Sequence, residues 1–194
     1  MLINSSVGTS AVRMQGNGIA EPIRQKLIKQ LFFEDLFTAI KNEDPKIFDL
    51  YLEQLTSKFD DLLGESKNGK EPGVVRWGTA RKCINLVLRS TVYNGYIWNH
   101  YGLSNIDFEE NGIMNKLEIP LDSHVVKGIK EDAKKYSLGF ETKKYSTFSI
   151  IGLNATDKTE SAYYQSMASK IAKSRKVCRI DLDLYYWRKQ NEYD

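Results

Sequence analysis

Apolar residues recur at helical spacing along most of this chain. Ile23, Leu27 and Leu31 stand one turn apart just after Pro22, a residue tolerated in a first helical turn. Asp44 and Pro45 pair a cap with a proline at the first helical position, and Ile47, Leu50, Tyr51, Leu55, Phe59, Leu62 and Leu63 then repeat at helical intervals until Gly64. From Ala80 to about Tyr101, Cys83 with Val87 and Ile84 with Leu88 build an apolar stripe. Lys82, Asn85 and Arg89 gather on the opposite side, which is expected to face away from the core. Residues 104–119 break the pattern and read as an irregular insertion or short helix. Asp122 then caps a helix that buries Val125, Ile129 and Ala133 and carries Lys127, Lys130, Lys134 and Lys135 elsewhere on its surface. A further helix from about Glu160 to Lys176 turns Tyr164, Met167, Ala168 and Ile171 inward. Residues 136–160 show no single periodicity, and Ile180, Leu182 and Leu184 alternate with aspartates in a way that fits a strand or a capped short helix.

These elements predict a mainly α fold without internal repeats. Residues 1–194 make one domain, read as two helical lobes joined near residues 64–73, where turn formers and charges lack periodicity. Residues 1–18 are small and polar, with Gly16 and Gly18, and read as a flexible loop. At 41% hydrophobic and 27% charged the chain has ample material for a core. A net charge of +3 admits a nucleic-acid partner without requiring one. Cys83 and Cys178 are the only cysteines, too few for a four-cysteine cluster or an all-cysteine zinc site, and no cofactor or metal is expected. Both lie in apolar patterns, as buried reduced thiols do. No run approaches the ~18 apolar residues of a membrane span, and Met1-Leu2-Ile3 opens no signal peptide. The expectation is a soluble intracellular protein with no membrane partner, cytoplasmic at the nucleoid or nuclear in a eukaryote.

Candidate chemistry is concentrated in Gly78-Thr79-Ala80-Arg81-Lys82-Cys83-Ile84-Asn85 and Pro120-Leu121-Asp122-Ser123-His124-Val125. The first reads as a tight turn opening a helix. Amides at such a turn and the adjoining helix dipole favour a phosphate. The second places a carboxylate at the mouth of another helix, where it can share a pocket with the Lys82 amine.

Together the two stretches resemble the helix-hairpin-helix DNA glycosylases of the endonuclease III type, in which Gly-Val-Gly-Arg-Lys-x-x-Asn precedes Val-Asp-Thr-His-Val. The resemblance covers residues 73–130, about a third of the chain. It implies a helical glycosylase-like fold with a cleft between two lobes, and base excision from double-stranded DNA carrying a damaged or modified base, performed by a monomer. It implies Lys82 as a nucleophile that forms a Schiff base with the sugar, giving abasic-site lyase activity, and Asp122 as the carboxylate that stabilises the sugar cation and moves protons. Gly78, Thr79, Ala80, Arg81, Asn85 and His124 are implied to contact the DNA. Ala80 replaces the second glycine of the family hairpin, and Arg76-Trp77 precedes it where Leu-Pro is common. Lys82 and Asp122 are forty positions apart, so residues 95–119 would form an insertion. Read without the resemblance, the same lysine suits a phosphate contact and Asp122 a plain N-cap. A non-catalytic helix-hairpin-helix DNA-binding module and a helical interaction protein therefore stay open. Tyr93, Tyr96, Trp98, Tyr186 and Trp187 are aromatic residues suited either to stacking on a base or to the core.

Overall fold

The computed structural model describes residues 2–8, 12, 18–59, 62, 75–104, 112–141 and 158–191. All regular elements among them are helical: α1 (Leu2–Ser6), α2 (Ala20–Gln30), α3 (Phe33–Lys41), α4 (Pro45–Ser57), α5 (Trp77–Val92), α6 (Gly95–His100), a 3-10 turn (Ile113–Lys116), α7 (Ser123–Lys135), α8 (Lys158–Arg175) and α9 (Asp181–Asn191). None is long and apolar enough to cross a membrane. The expected joint at 64–73 lies outside the described residues; the elements on either side of it share one core, and the two lobes are the parts built round the two cores that follow.

The apolar periodicity closes two separate cores. The first is filled by Ile23, Leu27, Leu36, Phe37, Phe48, Leu52, Ile84 and Leu88, with α5 running through it against α1, α2, α4 and α6. The second is filled by Val125, Ile129, Tyr164, Ala168, Ile171 and Leu182, where α8 and α9 pack on α7. The chain passes between them repeatedly. Met114 and Leu117 belong to the first core, Ile119 and Leu121 to the second, Cys178 and Ile180 to the first again, and Leu182 and Tyr186 to the second.

Local rules account for several helix ends. Asp44 accepts a hydrogen bond from Lys46 N at 3.0 Å and starts α4, with Pro45 behind it. Asp122 caps α7. Helices α7 and α8 end in left-handed residues that are not glycine, Ser137 (φ 53°) and Lys176 (φ 57°). Leu138 N reaches back to Ala133 O at 2.9 Å and Val177 N to Ala172 O at 3.1 Å, the paired-carbonyl ending that satisfies a helix C-terminus.

The structure corrects several expectations. Gly78, Thr79 and Ala80 form no turn; they are buried in the first turn of α5, and the amides of Thr79 and Ala80 both donate to Arg76 O at 3.0 Å. The long helix to Tyr101 is two helices, broken at Tyr93 and Asn94, where the Asn94 side chain caps α6. In α4 it is Phe48, Leu52 and Leu55 that point inward, whereas Ile47 and Leu50 are exposed. Within residues 1–18, Leu2–Ser6 is helical and Val7 is fully buried. The closing segment resolves as helix α9.

Candidate active site

The polar side of α5 meets the other lobe rather than solvent. Lys82 and Asn85 are buried, and Arg89 is ion-paired with Asp183 of α9. Lys82 Nζ lies 3.4 Å from Asp122 Oδ2, and each side chain is 10% exposed. Asp122 divides its oxygens between two tasks. Oδ1 accepts from His124 N at 3.0 Å and Val125 N at 2.9 Å, capping α7, while Oδ2 faces the amine. The cap that starts the helix therefore also fixes the carboxylate in front of Lys82. A carboxylate and an amine so placed can pass a proton between them or offset a cation formed beside them.

Glu118 lies in the extended segment between the lobes and organises the rest of the seam. Its Oε2 accepts from Arg81 Nε at 2.8 Å and Asn85 Nδ2 at 2.9 Å, and its Oε1 accepts from Arg81 Nη2 at 3.1 Å. Arg81 Nη1 donates to Thr56 Oγ1 at 2.9 Å. Burial pushes the Glu118 carboxyl up, but the Arg81 charge and the hydrogen bonds from Arg81 and Asn85 outweigh it and hold the group below its ordinary value. Arg179 pins the preceding residues by donating to Leu117 O and Lys116 O, both at 2.8 Å. Gln165 holds the next one from the other side, accepting from Ile119 N at 3.0 Å and donating to Ile119 O at 2.8 Å.

Between α5 and the second lobe is a cavity of about 200 Å³ including its open mouth, lined by Trp77, Gly78, Lys82, Asn85, Leu121 and Gln165. Its enclosed part has room for about one water molecule. Two buried atoms of lining residues, Trp77 Nε1 and Asn85 Oδ1, have no hydrogen-bond partner among the described residues.

Lys82 and Asp122 are thus brought together across forty positions. The residues implied to contact DNA are dispersed. Gly78 lines the cavity, the Thr79 and Ala80 amides are engaged inside α5, and Arg81 and Asn85 are bound to Glu118. His124 is part-buried with its ring 5.0 Å from that of Trp187. Among the aromatic candidates Tyr186 is buried, Trp187 and Tyr93 are about half exposed, and Tyr96 is 91% exposed; the Trp98 side chain lies outside the described part. Glu118, Trp77 and Gln165 carry no motif and escape sequence reasoning. The one signal for Glu118 is a lone acid inside the apolar run Leu117 to Leu121. In comparisons with family models, curated proteins and solved structures, nothing matches this chain.

Proposed function

We propose that the chain is a base-excision DNA glycosylase with abasic-site lyase activity, acting as a monomer on double-stranded DNA that carries a damaged or modified base. The observation that carries this reading is the Lys82–Asp122 pair, 3.4 Å apart and mostly buried, joined from two helices of different lobes. In the proposed reaction Lys82 Nζ attacks C1′ of the extruded nucleotide while the glycosidic bond breaks, and the bonding electrons leave with the base, which takes up a proton. Asp122, as a carboxylate, offsets the positive charge while it develops on the sugar, then takes the proton that the bonded Nζ sheds and passes it to the departing base. Opening of the sugar ring, with a proton taken up at O4′, then leaves a Schiff base between C1′ and Lys82, from which loss of a C2′ proton breaks the C3′–O bond and expels the 3′ phosphate.

A nucleotide is far larger than one water, so the seam has to widen when DNA binds. Its contacts are ionic and polar, the kind of interface across which lobes move relative to one another. Since the Thr79 and Ala80 amides are committed, phosphate contacts fall to surface cations and binding should weaken steeply with salt.

Duplex oligonucleotides with single lesions, incubated with borohydride, test the proposal. At least one lesion should yield a covalent protein–DNA adduct that Lys82→Ala abolishes, with Lys82→Gln still binding abasic DNA. Full activity of Lys82→Ala on every lesion the native protein cuts would refute the Schiff-base step. Salt-sensitive binding without base release from any lesion would instead identify a non-catalytic DNA-binding module.

A further inference from the structure

The two lobes differ in the charge of their surfaces. Around α3 and α4 the exposed residues mix both signs, Glu34, Asp35, Asp44 and Asp49 standing among Lys41 and Lys46. On α7 the exposed residues include Lys127, Lys134 and Lys135 against a single exposed acid, Glu131, because Asp132 is buried and accepts from Arg175 at 2.7 and 3.0 Å. Among the described residues no acid forms an ion pair with Lys127, Lys134, Lys135 or Lys176.

Lys127, Lys130 and Lys134 fall three and four positions apart and so share one stripe of α7, where like charges repel. Helix stability does not explain the stripe. Lys134 and Lys135 stand in the last turn and offset the helix dipole, but Lys127 and Lys130 stand outside that turn and gain nothing from it. The stripe runs to the end of α8. Lys135 Nζ lies 5.5 Å and Arg175 Cζ 5.7 Å from the centre of the same ring, that of Tyr136, which brings Lys176, the residue after Arg175, to the end of α7. Its other end starts at the chemistry, since the cap of α7 is Asp122, the carboxylate facing Lys82.

We propose that this face of the second lobe holds the phosphate backbone of double-stranded DNA, with Lys127, Lys134, Lys135 and Lys176 as its contacts. The proposal rests on the glycosylase reading for its partner, and it moves the contact surface to another lobe. The resemblance implied residues 78–82, but these are buried, with the Thr79 and Ala80 amides donating to Arg76 O and Arg81 held by Glu118. A row of exposed cations without matching acids suits a polyanion, because each cation that meets a phosphate releases a condensed counterion. No exposed position of α7 is apolar, as burial in a lipid surface would require. The 13 residues of α7 rise about 20 Å. At about 3.4 Å per base pair the row therefore reaches backbone about six base pairs from the extruded nucleotide.

The test measures binding of the full-length protein to a fluorescent, lesion-free duplex of about 20 base pairs over a range of salt concentrations, a readout that needs neither Lys82 nor turnover. The triple variant Lys127→Gln, Lys134→Gln, Lys135→Gln is compared with Lys29→Gln, Lys46→Gln, Lys58→Gln, which changes the net charge equally at exposed lysines of the first lobe. The α7 triple should weaken binding by about tenfold or more at about 0.1 M salt and flatten the slope of log K against log salt by about 2.7, while the first-lobe triple stays within about threefold of the native protein. Each single α7 variant should flatten the slope by about 0.9, which decides the matter if the triple fails to fold. Equal losses in the two triples, an unchanged slope in the α7 variants, or binding to phosphatidylserine vesicles in place of the duplex overturns the proposal. Duplex binding carried by α7 with no base release from any lesion keeps this surface and removes the glycosylase. Base release from a lesion duplex with the α7 triple unimpaired does the reverse, and a native protein that binds no duplex overturns both.

Discussion

Asp122→Asn isolates what the carboxylate does for Lys82 from what it does for α7. Asparagine caps helices about as well as aspartate, and the retained Oδ1 can still accept from His124 N and Val125 N. The change falls on the atom facing Lys82, where an N–H2 group replaces Oδ2 at 3.4 Å from an ammonium whose side chain is only 10% exposed. Removing one partner of a buried pair costs about 3–5 kcal/mol, and the residual exposure places this one near the lower end. Lys82→Met keeps the aliphatic stem and leaves Asp122 with its two backbone donors, so its cost should be smaller, about 1–2 kcal/mol. The double variant has no charge facing the wrong partner. Its loss should fall short of the sum of the single losses by about 1–3 kcal/mol. Urea unfolding of the four proteins measures this through the transition midpoints, provided the slopes agree. Additive losses would refute the coupling and with it the geometry on which the proposed chemistry stands. Turnover should follow a different order: Asp122→Asn falls by on the order of 100-fold, and the double variant stays inactive despite its regained stability.

A β-carbon added at Gly128 would lie 2.3–2.7 Å from ring atoms of Tyr186, including Cγ at 2.5 Å, which gives way only if this buried side chain changes rotamer or α9 shifts. Gly128→Ala should therefore cost a net of about 1–2 kcal/mol, overpacking less the gain in helix propensity, and a rise in melting temperature would contradict it. Because the Glu118 carboxyl is held below its ordinary 4.5, the stability it adds is fully present above that value and is lost as pH falls through its lower folded-state value. The gap in unfolding free energy between the native protein and Glu118→Gln should accordingly shrink on acidification below 4.5, and a gap constant with pH would exclude the linkage. Burial pushes the Cys83 thiol up to about 12 and the Cys178 thiol up to about 11, so a thiol reagent at mildly alkaline pH should label neither until urea is added. Rapid labelling of the folded protein would show that these sites open.

What was legible in the sequence is what local chemistry decides. Asp44 and Asp122 were identifiable as caps because a short carboxylate before an apolar run has one economical use. The inward residues of α7 and α8 followed from spacing alone. Periodicity groups residues on a face but is silent on what that face meets. Lys82, Asn85 and Arg89 do share a side, yet they face the second lobe, and their partners Asp122, Glu118 and Asp183 come from distant parts of the chain. The α5 start failed for a related reason. Gly78 and Thr79 resemble turn residues, but burial against neighbouring elements outweighs their modest helix propensity. The left-handed helix ends at Ser137 and Lys176 carry no glycine, so the usual C-cap signal is absent there, and the end near Lys176 is legible only from where the apolar spacing stops.

The repeated passage of the chain between its two cores bears on how the protein can be made. Cys178 and Ile180 fill the first core, whose other members lie between Val7 and Leu117. During synthesis that lobe cannot complete its packing when its own helices have emerged, because two of its buried side chains are encoded after α7 and α8 of the second lobe. Folding lobe by lobe from the N-terminus therefore leaves the first core short of two buried side chains until residues 178–180 emerge, unlike the usual course for successive domains. A chain terminated before residue 178 would carry an apolar seat with nothing to fill it, so closure of the first core waits on the short link between α8 and α9.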